Sequence, residues 1–348
     1  MKNIFLRAAL ITVLLLALTF LFDSFRNYQL AVIAATFCTV AGLSLLIGLT
    51  GQLSLGHAVL MASGGYGYAL SAGPAADAGV DGSALVLIGI LGAIMLSGAV
   101  GTLLGLASAR LRGPYLAGLT LALVIALPAF ASQLRILGGE QGLSAPYVAV
   151  PELLQSFIAP EQWHAWIAVL IAALTVTPLA VMRAGRAGLR MRAVHGDETA
   201  ARLSGVVPGR VKVGAFIASS LAAGMGGAAL CIITQSVTPG GYDLAFSLLL
   251  LVAAVVGGLG SISGAAVGSA LIVLLPWLID TAISAADISS ALQHRLSGNL
   301  TLLIFGILVI VVTIMWPGGL AGAVQSRFVR RRRRRTRTAD KPEHATTS

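Results

Sequence analysis

Residues 183–212 read RAGRAGLRMRAVHGDETAARLSGVVPGRVK, a thirty-residue polar interruption between two long apolar runs. Seven of its positions are basic, and Asp197-Glu198-Thr199-Ala200-Ala201-Arg202-Leu203-Ser204-Gly205 stands at its centre. An apolar run of about 20 residues crosses a hydrocarbon core roughly 30 Å thick, so the segment is a loop on one side of a membrane. Within it Asp197 is placed to cap a short helix, and Glu198 suits the positive dipole end. Gly205 stands where a left-handed terminator belongs. The expected product is about two turns, with Ala200 and Ala201 offering a close-fitting surface that seats in a groove of another protein. An Arg-rich loop also enforces topology by itself, and these residues alone leave both readings open.

Composition agrees with the membrane. Hydrophobic residues are 57% of the 348 positions and charged residues 10%, too few to coat a soluble surface. Apolar segments fall near 6–22, 28–49, 56–72, 83–109, 114–133, 163–182, 213–235, 244–259, 262–279 and 298–316. They predict an all-α polytopic integral membrane protein with eight to ten transmembrane helices. One membrane domain is expected over 1–320, with the loop 183–212 projecting from it and a basic tail over 321–348. Segment 244–259 is short and Gly-rich, and a Gly-punctuated turn joins 28–49 to 56–72. Broken or re-entrant helices are expected at either place, since such backbone is tolerated where protein buries it or it lines a cavity. The first run follows Lys2 and Arg7 as a signal peptide would, but Asp23-Ser24-Phe25-Arg26 offers no small-residue cleavage site, so it reads as a retained span.

Charge orients the spans. With ten crossings and both termini cytoplasmic, the inside segments hold 20 of the 23 basic residues, and the outside segments hold nine of the 13 acidic ones. The net charge of +10 includes an unbroken run from Arg330 to Arg335 just after the last span. Topological retention and attraction to anionic lipid account for that run without nucleic acid. The tail beyond Arg335 has no apolar residues to bury and is expected to be disordered.

Absences narrow the mechanism. The three lysines, Lys2, Lys212 and Lys341, never follow a glycine, so the chain has no G-x-x-x-x-G-K-[ST] phosphate loop and does not itself hydrolyse nucleotide. No expected span contains Asp, Glu or Lys, which argues against a proton relay, although sodium sites built from carbonyls would leave no such mark. Cys38 and Cys231 lie in apolar runs without ligand spacing and read as small buried residues. No catalytic or metal-binding residue is assigned.

Three glycine-rich stretches remain. In Gly48-Leu49-Thr50-Gly51-Gln52-Leu53-Ser54-Leu55-Gly56-His57, the residues Gln52, Ser54, Gly56 and His57 are either part of a translocation path or a structural turn, and His57 reads as hydrogen-bonded structure. Gly138, Gly139 and Gly142 open the longest outside segment, as a flexible turn or a face toward an extracytoplasmic partner or the substrate. Gly260, Gly264 and Gly268 are spaced to share one helix face and allow close backbone approach.

Five blocks occur in order from about residue 40 to 280: Gly51 to His57; Leu111-Arg112-Gly113-Pro114-Tyr115; Gly138 to Leu143; Arg186-Ala187-Gly188-Leu189-Arg190 with Asp197 to Gly205; and Gly257 to Gly264. Together they resemble the permease subunits of ATP-binding-cassette importers for branched-chain amino acids, of the M rather than the H type. The resemblance implies that Glu198, Ala200, Ala201 and Gly205, with Asp197 as cap, dock onto an ATPase. It implies a non-enzymatic transport subunit in the cytoplasmic membrane of a bacterium or archaeon. The expected partners are a distinct H-type permease, two cytoplasmic ATPases and an extracytoplasmic binding protein. This chain would carry no cofactor, ATP and Mg belonging to the ATPases. His195-Gly196, Leu137 and Val59-Leu60-Met61 depart from the family pattern. A permease for urea, short amides or a sugar stays open as the alternative, and a stand-alone secondary carrier or channel is a third reading.

Overall fold

The computed structural model describes residues 2–285 other than Arg112 and Leu153, with a few isolated positions between 303 and 319. The expected last span, 298–316, and the tail, 321–348, lie outside that described stretch. Six long helices lead up to the basic loop or away from it: α1 (Lys2–Leu18), α2 (Ser24–Thr50), α3 (His57–Asp77), α4 (Gly82–Arg110), α5 (Pro114–Gln133) and α6 (Pro160–Ala184). The loop itself folds into α7 (Arg186–Gly196) and α8 (Glu198–Leu203). Then come α9 (Pro208–Thr234), α10 (Leu244–Gly257) and α11 (Ile262–Ala285). Two-residue strands β1 (Leu143–Ser144) and β2 (Ser236–Val237) pair antiparallel.

The helix boundaries follow local chemistry. Asp23 accepts a hydrogen bond from the Arg26 N–H at 3.0 Å and starts α2. Pro114, Pro160 and Pro208 open α5, α6 and α9, where a missing N–H costs nothing.

Among the described residues, eight helical stretches are long and apolar enough to cross a membrane. The tenth expected span lies outside the described residues, and α3 is a full helix that does not meet that standard by its own composition. Its placement explains why. Packed against α4 and α9, the residues from His57 to Ala69 are all buried, so α3 faces protein rather than lipid and tolerates Ser63, Tyr66, Tyr68 and its glycines. Close approach makes this packing work: a Cβ added to Gly64 would overlap the Gly224 backbone, and one on Gly227 would overlap the Met61 carbonyl.

α1 lies at the periphery and is held at one end. Thr19 accepts hydrogen bonds at Oγ1 from Trp166 Nε1 at 2.8 Å and Gln162 Nε2 at 3.2 Å, and at its carbonyl from Asn27 Nδ2 at 3.2 Å. α10 is only 14 residues long, the short element expected at 244–259.

One expectation is corrected here. Gly260 does not share a helix with Gly264 and Gly268; it lies in the turn before α11, at φ +75°. Its N–H donates to the Ser44 carbonyl at 2.9 Å and to Ser44 Oγ at 3.0 Å, a long-range tie that the local spacing does not encode. The three glycines still serve packing within this chain. Gly260 lies against Gly48 of α2, Gly264 against Gly257, and Gly268 against the Ala253 carbonyl.

Candidate functional site

The loop 183–212 forms two short helices at one end of the bundle, the basic end. Asp197 separates them: its Oδ1 accepts hydrogen bonds from the N–H of Thr199 at 2.7 Å and of Ala200 at 3.3 Å. At the other end of α8, Gly205 is left-handed at φ +77°. The Val206 N–H reaches the Ala201 carbonyl and the Gly205 N–H reaches the Arg202 carbonyl, both at 3.0 Å, which closes a Schellman motif. Glu198 pairs with Lys212 in the first turns of α9, tying the two helices together.

The two alanines do not act alike. A helix turns about 100° per residue, so neighbours point in different directions. Ala200 is exposed, whereas Ala201 is 3% exposed and packs inward, so the expected double-alanine surface is corrected to Ala200 alone. Leu203, which sequence reasoning passed over, is 86% exposed on this six-residue helix. An apolar residue two positions, about 200° of helix, from the buried Ala201 was the available signal.

Behind α8 lies a cavity of about 610 Å³ bounded by the 50–53 turn, the 111–117 junction of α4 and α5, and residues 194–198. It brings Gln52 together with Asp197, Glu198 and Lys212. The His195 ring lies over Gly51, where an added Cβ would stand 3.3 Å from Cδ2; Gly51 itself is left-handed at φ +69° and ends α2. Another cavity among the described residues, about 520 Å³ among α1, α2, α6 and α11, is almost wholly apolar.

From Gly51 the chain climbs into the bundle without helical structure until His57. Ser219, the partner of His57, lies eleven residues into α9, about 16 Å from its start. His57 is fully buried and bonded at both nitrogens, Nδ1 to Ser54 Oγ at 2.9 Å and Nε2 to Ser219 Oγ at 2.7 Å. The Leu55 N–H donates to Thr120 Oγ1 at 3.0 Å, and a Cβ on Gly56 would overlap the Thr120 carbonyl. Ser54, Gly56 and His57 are therefore packed into the bundle, and of the four named residues Gln52 alone lines the cavity.

Gly138, Gly139 and Gly142 lie far from this cavity, at the opposite end of the bundle. Their φ angles are +80°, +63° and +75°, and Gly142 abuts the Val237 carbonyl of β2. These glycines serve a specific turn, continued where the Ala145 N–H donates to the Gln235 carbonyl at 2.8 Å.

The family model described as the branched-chain amino acid transport system / permease component matches residues 26–313. The chain belongs to this family. It is a family of transport permease components, not of enzymes, and with eight apolar helices the chain is a multi-pass membrane protein. The high-affinity branched-chain amino acid transport system permease protein LivM of Escherichia coli strain K12 is 30% identical over 245 residues, covering 63% of this chain and 55% of LivM. LivM of Salmonella typhimurium strain LT2 is 29% identical over 251 residues, with the same coverage. The match thus spans about half the length of these relatives. No solved structure matches the chain.

Proposed function

We propose that this permease-family chain is the M-type membrane subunit of an ATP-driven importer for branched-chain amino acids. The observation that carries this reading is α8, a six-residue helix capped at both ends, exposed through Thr199, Ala200 and Leu203, and fastened by Glu198 to α9. A rigid, exposed two-turn element at the basic end is a handle through which another protein moves the bundle. The basic end faces the cytoplasm by the positive-inside rule, with both termini on that side and the chain in a bacterial or archaeal cytoplasmic membrane. Two ATPases carrying ATP and Mg dock there through Asp197, Glu198, Ala200, Leu203 and Gly205. A distinct H-type permease pairs with this one, and an extracytoplasmic binding protein delivers substrate at the end carrying Gly138, Gly139 and Gly142. Residues 1–320 form the permease domain and 321–348 a cytoplasmic tail.

Co-expression with the partner subunits and reconstitution into proteoliposomes tests this reading. The ATPase should co-purify in stoichiometric amount, and leucine should accumulate only with ATP and receptor. Uptake without any ATPase would establish a stand-alone carrier instead. Uptake that follows a urea-, amide- or sugar-specific receptor would move the substrate assignment.

A further inference from the structure

The cavity at the basic end holds an unanswered polar group. Gln52 is 5% exposed, and neither its Oε1 nor its Nε2 has a hydrogen-bond partner among the described residues. Buried amides are nearly always paired, because water is given up on burial and must be replaced. A residue that served only the turn would bond to it, as Ser54 does to His57 and Thr120 to Leu55. Gln52 instead lines a 610 Å³ cavity, a size typical of small-molecule sites.

The rest of the lining narrows the ligand. Lys212 and Glu198 contribute opposite charges, Asp197 adds a second carboxylate whose Oδ1 is already held by the Thr199 and Ala200 N–H groups, and Leu53, Leu116 and Val194 contribute branched aliphatic surface. A molecule with adjacent positive and negative groups and a short aliphatic chain matches all three features. We infer that this cavity is a binding site for a free aliphatic α-amino acid, open from the basic end and independent of any receptor. The ligand carboxylate accepts from Gln52 Nε2 and the Lys212 ammonium. Its ammonium donates to Glu198 and to Gln52 Oε1, and its side chain rests on the aliphatic surface. The choice of leucine as probe rests on the importer reading; the geometry of the site does not.

The test uses the assembled transporter without its receptor and measures equilibrium binding of radiolabelled leucine. Saturable binding is expected, displaced by isoleucine or valine. Isoamylamine, which lacks the carboxylate, and 4-methylpentanoate, which lacks the ammonium, should not displace it. Gln52→Leu should weaken binding at least about 10-fold, the loss expected for hydrogen bonds to charged groups. Leu53→Trp fills the cavity from a position that is 40% exposed, and should do the same without disturbing the core. Both variants are scored only as complexes that elute fully assembled. Absence of saturable binding to the wild type, or unchanged binding in either assembled variant, overturns the site. Receptor-driven leucine uptake by the same preparation separates the two ideas. Uptake with no receptor-free binding removes the site and keeps the importer; binding with no uptake keeps the site and removes the importer.

Discussion

Lys212 and Glu198 form an ion pair that fastens α8 to the base of α9. Their side chains are 10% and 30% exposed, so the pair is less screened than a surface bridge worth about 0–1 kcal/mol. Removing one partner strands the other in a partly dry setting, which costs more than the pair itself contributes. Glu198→Gln is expected to lower ATP-driven uptake about 10-fold, and the exchange Glu198→Lys with Lys212→Glu to restore most of it. An exchange variant as impaired as the single one would show that the tie does not transmit force.

Gly205 is left-handed at φ +77°, and no heavy atom lies within 4 Å of where its Cβ would stand. A side chain there meets no obstacle inside this chain, so the internal cost is backbone strain of about 1–2 kcal/mol. Gly205→Arg is expected to insert at normal abundance yet lose uptake, because the bulk falls on the docking surface. Gly205→Asn, which tolerates the left-handed region, should retain more activity. Immunoblots of membranes beside uptake rates decide it, and normal uptake by the arginine variant would refute the docking role.

Leu203 is 86% exposed at the end of α8. Burying a leucine in a partner groove contributes about 1.5–3 kcal/mol, so Leu203→Asp should weaken ATPase association by at least about 10-fold. Gel filtration of the solubilised complex reads this directly. Co-elution at wild-type stoichiometry under dilution would place the docking surface elsewhere.

His57 and Ser219 join α3 to α9 near mid-bundle through a 2.7 Å hydrogen bond. Ser219→Ala leaves Nε2 of a fully buried imidazole unpaired, at about 1–3 kcal/mol. The apparent melting temperature in detergent should fall by several degrees with assembly preserved. An unchanged melting curve would mean that the bond contributes nothing to stability.

Gly48 lies against the backbone of Gly260, and a Cβ there would overlap it. Gly48→Ala should destabilise by about 1–3 kcal/mol through forced separation of α2 from the α10–α11 turn. Gly118, in the second turn of α5, has nothing within 4 Å, and Gly118→Ala should stabilise by about 0.5–1 kcal/mol. Thermal unfolding of the two variants side by side tests whether this packing, and not glycine count, limits the bundle.

Much of the fold was legible because its signals are local. The apolar runs announced their helices, and Asp197 and Gly205 announced the ends of α8 within nine residues of one another. Where a reading needed a partner distant in sequence, it failed or stayed open. Gly260 has helical spacing to Gly264, yet Ser44, more than two hundred residues earlier, accepts its N–H and holds it in a turn. Ala200 and Ala201 looked alike until α8 was laid against the bundle and one of them was buried.

The amino-acid sequence by itself determined that the chain lives in a bilayer, which end of it is basic, and that a capped helix interrupts the apolar runs there. Hydropathy, charge count and capping all act over a few residues, so order along the chain is enough to reveal them. Only the tertiary structure decided that His57 is locked between Ser54 and Ser219, and that Gln52, Lys212 and Glu198 line one cavity. His57 and Ser219 alone are 162 positions apart, and close helix packing, not local preference, brings such residues together.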